Sequence, residues 1–204
     1  EGKRGTIMKN RIGFVILTWN SENVIENCLN SIVSLKDIMP KVVIVDNGSS
    51  DLTCDIVNKF ILEYPQIVKI IKYSENKGTT VTRNKGIKEH NADELDYYCI
   101  LDSDTIINEV AFKILIDELE KHDEYGIIGP KLITSSGLEQ MSARAFPTLL
   151  EKVYKAIPIK ALQIKGEKME RQTPSDGWKN SYTVDYLMSA CWLIKKEIVQ
   201  IVGL

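Results

Sequence analysis

An apolar run, Tyr97-Tyr98-Cys99-Ile100-Leu101, ends abruptly in Asp102-Ser103-Asp104-Thr105. Five consecutive residues without polar alternation need cover on both faces, which a parallel strand inside an α/β sheet has. In such a sheet, ligands collect outside the carboxyl ends of the strands, so Asp102 and Asp104 fall where a ligand sits. Two readings follow. As oxygen donors, the pair suits a hard divalent cation, Mg²⁺ or Mn²⁺, held by one or two carboxylates together with substrate phosphates. As turn formers, Asp and Ser bend the chain by bonding their own backbone, with no ligand involved.

The same pattern recurs along the chain. Arg11–Thr18, Lys41–Asp46 and residues 68–73 read as further strands, the first two equally continuous in apolar residues. Between the first two, Val24, Ile25, Cys28, Leu29, Ile32 and Leu35 recur at helical steps, with Ser21 or Asn20 as the expected cap. Ile56, Val57, Phe60 and Ile61 mark a second helix, and a third helical segment runs through Ile87. Strands alternating with helices predict an α/β fold with a mostly parallel, doubly wound central sheet and helices on both faces, because parallel strands need crossover connections.

Beyond Thr105, Asn108 caps a predicted helix with Phe112, Leu115, Ile116 and Leu119 on one face. Gly126–Pro130 reads as a short strand stopped by proline. Residues 135–181, with Pro147, Pro158 and Pro174, are expected to hold loops and one helix around Leu149–Ile157. Residues 182–194 return to strand character, and a helix begins at Lys195.

Composition narrows the partners. A formal net charge of −2 over 204 residues argues against bulk binding of nucleic acid. Four cysteines, Cys28, Cys54, Cys99 and Cys191, lie far apart without a CxxC pair, as free thiols of a reducing compartment do. No apolar stretch approaches the roughly 20 residues of a membrane helix, and no signal-peptide pattern is present, so the expected location is cytoplasmic. Residues 1–10 read as an N-terminal extension or a leftover of cloning.

Three strand ends bring polar groups to one predicted edge: Thr18-Trp19-Asn20, Asp46-Asn47-Gly48 and Asp102-Ser103-Asp104. Asp46 suits a nucleobase or ribose, as an acid does in dinucleotide folds, or caps the next helix through a turn. Asn76-Lys77-Gly78 and Arg83-Asn84-Lys85-Gly86 put cations and glycines around a helix start, where backbone donors and a positive dipole suit a diphosphate. The alternative is a solvated basic face, preferred for Lys85 and Lys88. Neither GxGxxG nor GxxxxGK[ST] is present, which weakens a dinucleotide cofactor and an ATPase, and no GxSxG elbow offers a serine nucleophile. His90 and His122 are expected at the surface. Trp178 and Trp192 either stack on a sugar or pack, with Trp192 placed in the core.

Five segments in this order and spacing, VILTWNSENVIENCLNSI, VVIVDNGSSD, ENKGTTVTRNKGIKE, YYCILDSDT and VDYLMSACWLIKKE, resemble the inverting family 2 glycosyltransferases of the GT-A, or nucleotide-diphospho-sugar transferase, fold. The resemblance runs from Ile12 to Leu204. It implies a nucleotide-diphosphate sugar donor, a divalent metal (manganese or magnesium) at the Asp-x-Asp, and an unknown glycan or lipid-linked acceptor. It further implies that Thr18 and Asn20 line the nucleotide pocket, that Asp46 meets the base, and that Lys77, Gly78 and Arg83 lie near the nucleotide. Asp104 would ligate the metal directly, with Asp102 facing ribose, sugar or metal. Ser189 and Ala190 would stand beside the acceptor.

By the same resemblance, residues 11–107 form the donor-binding half and 108–204 the acceptor side. The acidic pair that supplies the general base is expected beyond residue 204, so the catalytic residue is unassigned and the chain reads as a piece of a longer protein. Asp185 and Glu139 are the remaining carboxylates considered for that role. The expected activity is metal-dependent, inverting transfer in cell-surface glycan or polysaccharide synthesis, in the cytoplasm or at the inner face of the membrane. The rivals are a sugar-nucleotidyltransferase and a donor-binding domain without turnover.

Overall fold

The computed structural model describes residues 10–90, 94–171 and 180–203. In chain order it contains β1 (Asn10–Thr18), α1 (Ile25–Val33), β2 (Ile38–Asp46), α2 (Thr53–Glu63), β3 (Val68–Lys72), α3 (Thr79–Glu89), β4 (Tyr97–Asp102), α4 (Glu109–Lys121) and β5 (Ile127–Ile128). Four short strands follow or flank two helices: β6 (Leu132–Ile133), β7 (Glu139–Gln140), β8 (Ala143–Arg144), α5 (Leu149–Ala156), α6 (Lys160–Glu170) and β9 (Tyr186–Leu187). The chain then ends in β10 (Cys191–Lys195) and α7 (Lys196–Val202). Two compact units result, one built from the chain up to Ile128 and again from Ala190, the other from Gly129–Ser189.

The first unit holds a six-stranded sheet in the order β3-β2-β1-β4-β10-β5. β3, β2, β1 and β4 are parallel, while β10 runs antiparallel to both its neighbours. The mostly parallel, doubly wound sheet predicted above is therefore observed. Its cause is the two-residue period of strands acting on continuous apolar runs. In β1, Ile12, Phe14 and Ile16 face a core shared with Cys28 and Leu29 of α1, Phe60 of α2 and Phe112 of α4. Val15 faces the opposite side with Ile87 of α3, Tyr98, and Ile198 of α7. At about 25 cal/mol per Å² of buried apolar surface, these two layers are the main source of stability.

Glycine sets the approach of α3 to the sheet. A Cβ on Gly86 would meet Val15 Cγ1 at 2.4 Å and Val45 Cγ2 at 3.2 Å, so only a bare Cα lets the helix lie this close. His90, expected at the surface, is instead wholly buried: its Nε2 lies 3.1 Å from the Phe14 carbonyl, and its ring meets Tyr98 edge-on. A helix ending over the sheet carries its C-terminal residue inward, and a carbonyl partner satisfies the ring there. His122, half-exposed, stacks on Tyr125.

The cap expected for α1 also differs. The helix starts at Ile25 with no side-chain cap, because the Ser21 carbonyl takes the amides of Val24 and Ile25 in a preceding turn. Asn108 caps α4 as expected, accepting from the Ala111 amide at 3.0 Å.

The second unit holds two antiparallel ladders, the hairpin β6–β7 and the long-range pair β8–β9, and the packed helices α5 and α6. Where one helix was expected there are two. Pro158 ends the first, and α6 escapes an apolar-periodicity reading because it packs through Gly166 and an ion pair from Lys155 to Glu170. The strand expected over 182–194 is divided at residues 188–190: β9 joins β8, and β10 joins the large sheet. Trp178 lies outside the described residues.

Candidate functional site

Parallel pairing in register fixes the site. Thr18 faces Asp46 across β1–β2, and Leu17 faces Asp102 across β1–β4, so three strands end together at one edge. Thr18, Asp46 and Asp102 are thereby neighbours although far apart in sequence. Thr18 Oγ1 donates to Asp46 Oδ1 at 3.0 Å, and Ser49 donates from its amide to Oδ2 at 3.0 Å and from its hydroxyl to Oδ1 at 2.5 Å. Asp46 is 2% exposed, so its carboxylate survives at the edge only through these donors.

The loop after β1 is latched to the loop after β2. Asn20, at φ 50, is the non-glycine residue with a left-handed backbone among those described, a conformation that asparagine tolerates. Its amide donates to Ser49 Oγ at 2.9 Å and its Oδ1 accepts from the Ser50 amide at 2.9 Å. Asn47 makes a second latch: Nδ2 donates to Asn76 Oδ1 at 2.7 Å, and Oδ1 accepts from the Lys77 amide at 2.7 Å. Asn76 Oδ1 also accepts from the Gly78 amide at 2.9 Å. Gly78 precedes α3 at φ 82 with open space where a side chain would be. The Lys77 ammonium is paired with Glu75.

Asp102 and Asp104 lie in different surroundings. Asp102 is partly buried, and Arg83 Nη2 of α3 donates to its Oδ1 at 2.8 Å. Burial pushes the Asp102 carboxyl above its usual range, Arg83 opposes that, and the charge of Asp104 adds to it. Asp104 is exposed, and no ion pair holds it among the described residues. Between the two, Ser103 Oγ lies 3.0 Å from Ser21 Oγ, and the Ser21 amide donates to Thr53 Oγ1 at 2.7 Å. The Asp102 amide donates to the Ala190 carbonyl at 3.0 Å, which joins Ala190 to the same strand end.

This donor set fits a hard cation only in part. Among the described residues no group of three or more His, Cys, Asp or Glu side chains gathers as a metal site. Two carboxylates, one of them exposed, match a cation that completes its shell with phosphate oxygens and water.

Sequence reasoning singled out Thr18, Asn20, Asp46, Lys77, Gly78, Arg83, Asp102 and Asp104. Thr18, Asp46 and Asp102 are the last residues of β1, β2 and β4, Asn20, Lys77, Gly78 and Asp104 lie on loops after β1, β3 and β4, and Arg83 lies in α3. It missed Ser21, Ser49, Asn47, Asn76 and Ser103, which hold those loops to each other. Ser189 belongs to the second unit. There, Asp185 accepts from the Phe146 amide at 2.9 Å, and Glu139 pairs with Lys131 and Arg171.

The family described as Glycosyl transferase family 2 matches residues 14–200. The chain is 32% identical over 112 residues to a poly-beta-1,6-N-acetyl-D-glucosamine synthase of Staphylococcus aureus, covering 55% of this chain and 26% of that protein. To the Staphylococcus epidermidis synthase it is 26% identical over 129 residues, covering 62% and 30%. It thus spans less than a third of the length of these curated relatives.

Among solved structures, a mannosyltransferase of Pyrobaculum calidifontis in complex with GDP-Man and Mn²⁺ superposes with a TM-score of 0.59 at 17% identity, over 96% of this chain and 47% of that one. S. aureus TarS in complex with UDP-GlcNAc superposes with a TM-score of 0.51 at 23% identity, over 78% and 48%. These likenesses establish a common GT-A architecture.

Proposed function

From the premise that this chain belongs to glycosyl transferase family 2, we propose that it binds a nucleotide-diphosphate sugar and serves its transfer to an acceptor hydroxyl with inversion, in cell-surface polysaccharide synthesis. One observation carries this reading: Thr18, Asp46 and Asp102 stand side by side at the carboxyl edge of the sheet, with Arg83 on Asp102 and an exposed Asp104 beyond it. The solved neighbours that carry GDP-Man, or UDP-GlcNAc, add support for the donor class.

In this proposal residues 11–107 receive the donor and 108–204 face the acceptor. Thr18, Asn20 and Asp46 line the nucleoside, and Lys77, Gly78 and Arg83 serve the diphosphate. Asp104, helped by Asp102, would hold Mn²⁺ or Mg²⁺. Such an ion, when bound, offsets charge on the departing nucleoside diphosphate as a Lewis acid. Arg83 meets the same charge from the side of α3, a fixed donor that need not reorganise as the bond breaks. Asp46, dry and held by Thr18 and Ser49, offers a fixed acceptor edge to a base. Ser189 and Ala190 stand on the acceptor side, near where a glycan or lipid-linked hydroxyl would enter. The proposed location is cytoplasmic, at the inner face of the membrane; among the described residues no helix is long and apolar enough to cross a bilayer.

A second reading, donor binding without turnover by this chain, draws support from Asp185 and Glu139, both tied into bonds of the second unit. A thermal-shift screen of nucleoside diphosphates and their sugars, with and without Mn²⁺, tests the shared claim, because a ligand of the native state alone raises the melting temperature. The expected result is a Mn²⁺-dependent rise with one nucleoside class, and no rise with any of them overturns it. Released nucleoside diphosphate in the presence of acceptor then separates transfer from binding alone, and released pyrophosphate would identify a nucleotidyltransferase.

A further inference from the structure

The loop that carries Asp104 leans on α1 and on the turn before it, and is met there at three points. Ser103 Oγ lies 3.0 Å from Ser21 Oγ, Cys28 Sγ donates to the Asp102 carbonyl at 3.9 Å, and Ser31 Oγ accepts from the Ile107 amide at 3.0 Å. Cys28 and Ser31 stand three residues apart on α1, a spacing that puts both on one face of a helix. The Asp102 carbonyl also accepts from the Thr105 amide at 3.1 Å, which closes a turn around Ser103 and Asp104.

The two serines are themselves fixed. The Ser21 amide donates to Thr53 Oγ1 at 2.7 Å, and that wholly buried hydroxyl donates to Asp51 Oδ1 at 2.6 Å beside the start of α2. Ser31 Oγ donates to the Cys28 carbonyl at 2.6 Å, so its proton is committed and its oxygen is left to accept from Ile107. Asp104 has no such support of its own. Its side chain is exposed and makes no ion pair among the described residues, so its place depends on the backbone to either side.

We propose that Ser21 and Ser31 are positioning residues for the divalent cation: their hydroxyls pin the loop at Ser103 and at Ile107, and so hold Asp104 in place before any ion arrives. A carboxylate on a wandering loop binds with an affinity reduced by the fraction of time it spends in place. Setting it beforehand matters most for an ion such as Mg²⁺, which demands near-ideal octahedral geometry. The inference rests on the assignment of the cation to Asp104 given above, and adds to it two residues that act through the loop.

Mn²⁺ alone is the probe, titrated into the intact chain and followed by the electron paramagnetic resonance signal of the free ion. Ser21→Ala, Ser103→Ala and Ser31→Ala should each weaken its binding roughly fivefold, the worth of one neutral hydrogen bond. Ser21→Ala/Ser103→Ala should bind no more weakly than either single variant, because both remove the same bond. Ser31→Thr keeps the hydroxyl and should restore the parental affinity. Ser34→Ala removes the bond from Ser34 Oγ to the Ser31 carbonyl without reaching the loop, and should leave Mn²⁺ binding unchanged. Hydrogen exchange without metal reads the loop directly: the Ile107 amide should exchange faster in Ser31→Ala and at the parental rate in Ser34→Ala. A parent that takes up Mn²⁺ while the three alanine variants take it up as tightly overturns the positioning role and leaves the proposed function standing. A weakening that Ser34→Ala shares, or that Ser31→Thr does not restore, overturns it too, since the effect then belongs to the helix and not to the hydroxyls. A parent that binds no Mn²⁺ overturns the cation assignment itself and this inference with it.

Discussion

Arg83 Nη2 rests 2.8 Å from Asp102 Oδ1, so a guanidinium carried by α3 covers the first carboxylate of Asp-Ser-Asp at the end of β4. A cation drawn to Asp102 must compete with that guanidinium, while a diphosphate would gain from it. Arg83→Gln should therefore act with opposite signs on two ligands. Mn²⁺ alone should bind up to roughly fivefold tighter, the worth of an ion pair still open to water on one side. Nucleoside diphosphate in the presence of Mn²⁺ should bind roughly ten- to a hundredfold more weakly, as a charge-assisted hydrogen bond is lost. Calorimetry on both ligands decides it, and a change of the same sign for both refutes the competition.

Asp104 is the exposed carboxylate of the pair and makes no ion pair among the described residues, so its removal should spare the fold. Asp104→Ala is expected to abolish metal-dependent nucleotide binding and to leave the free energy of unfolding within about 0.5 kcal/mol of the parent, as surface substitutions do. Wild-type affinity in calorimetry with Mn²⁺ would count against the assignment.

Gly86→Ala sets two effects against each other. Alanine favours a helix over glycine by about 1 kcal/mol, but its methyl group would lie 2.4 Å from Val15 Cγ1. Crowding of a packed layer costs about 1–3 kcal/mol and should win. Urea unfolding should show a net loss of stability, and because Arg83 lies one turn earlier on the same helix, nucleotide affinity should fall with it. A variant as stable as the parent would show that α3 can move away from the sheet freely.

Buried thiols make stability depend on alkali. Burial, helped by the nearby charge of Asp104, raises the Cys28 thiol from 9.0 to about 12, and burial raises Cys99 well above 9.0. Tyr97 moves from 10.0 to about 12, by burial and then the charge of Glu120. For a raised pKa the unfolded chain ionises first, so the stability is complete below pH 9 and is lost as pH climbs toward 12. Each such thiol costs about 1.4 kcal/mol per pH unit inside that window. Urea unfolding at about pH 8 and about pH 10 should differ by roughly 2–3 kcal/mol, and Cys28→Ala should remove part of the difference. Equal stability at both values would show that the thiols reach water.

The sheet was legible because its strands are unbroken apolar runs, and the same runs located the edge by ending in Asp46 and Asp102. What stayed hidden depends on register. Ser21 and Ser103 meet across 82 residues, and Asn47 meets Lys77 across 30, only because parallel strands bring their loops side by side. Short polar side chains in loops give no periodic signal of such bonds. His90 was misplaced for a related reason: a polar residue at a helix end reads as exposed unless the distance between helix and sheet, set by Gly13 and Gly86, is known. Helix α6 lacked the apolar stripe that betrays a helix, since ions and a glycine hold it.

β5 and β10 are paired at Ile128 and Leu193, so the backbone leaves the large sheet and rejoins it on adjacent rungs. Everything from Gly129 to Ser189 is in effect a cassette clipped between two neighbouring ladder positions. Because the entropy of closing such a detour grows only slowly with its length, evolution can lengthen, shorten or exchange the cassette while the hydrogen-bond pattern of the parallel strands stays as it is. Change in the length of the cassette is thereby uncoupled from preservation of the strand ends that carry Asp46 and Asp102.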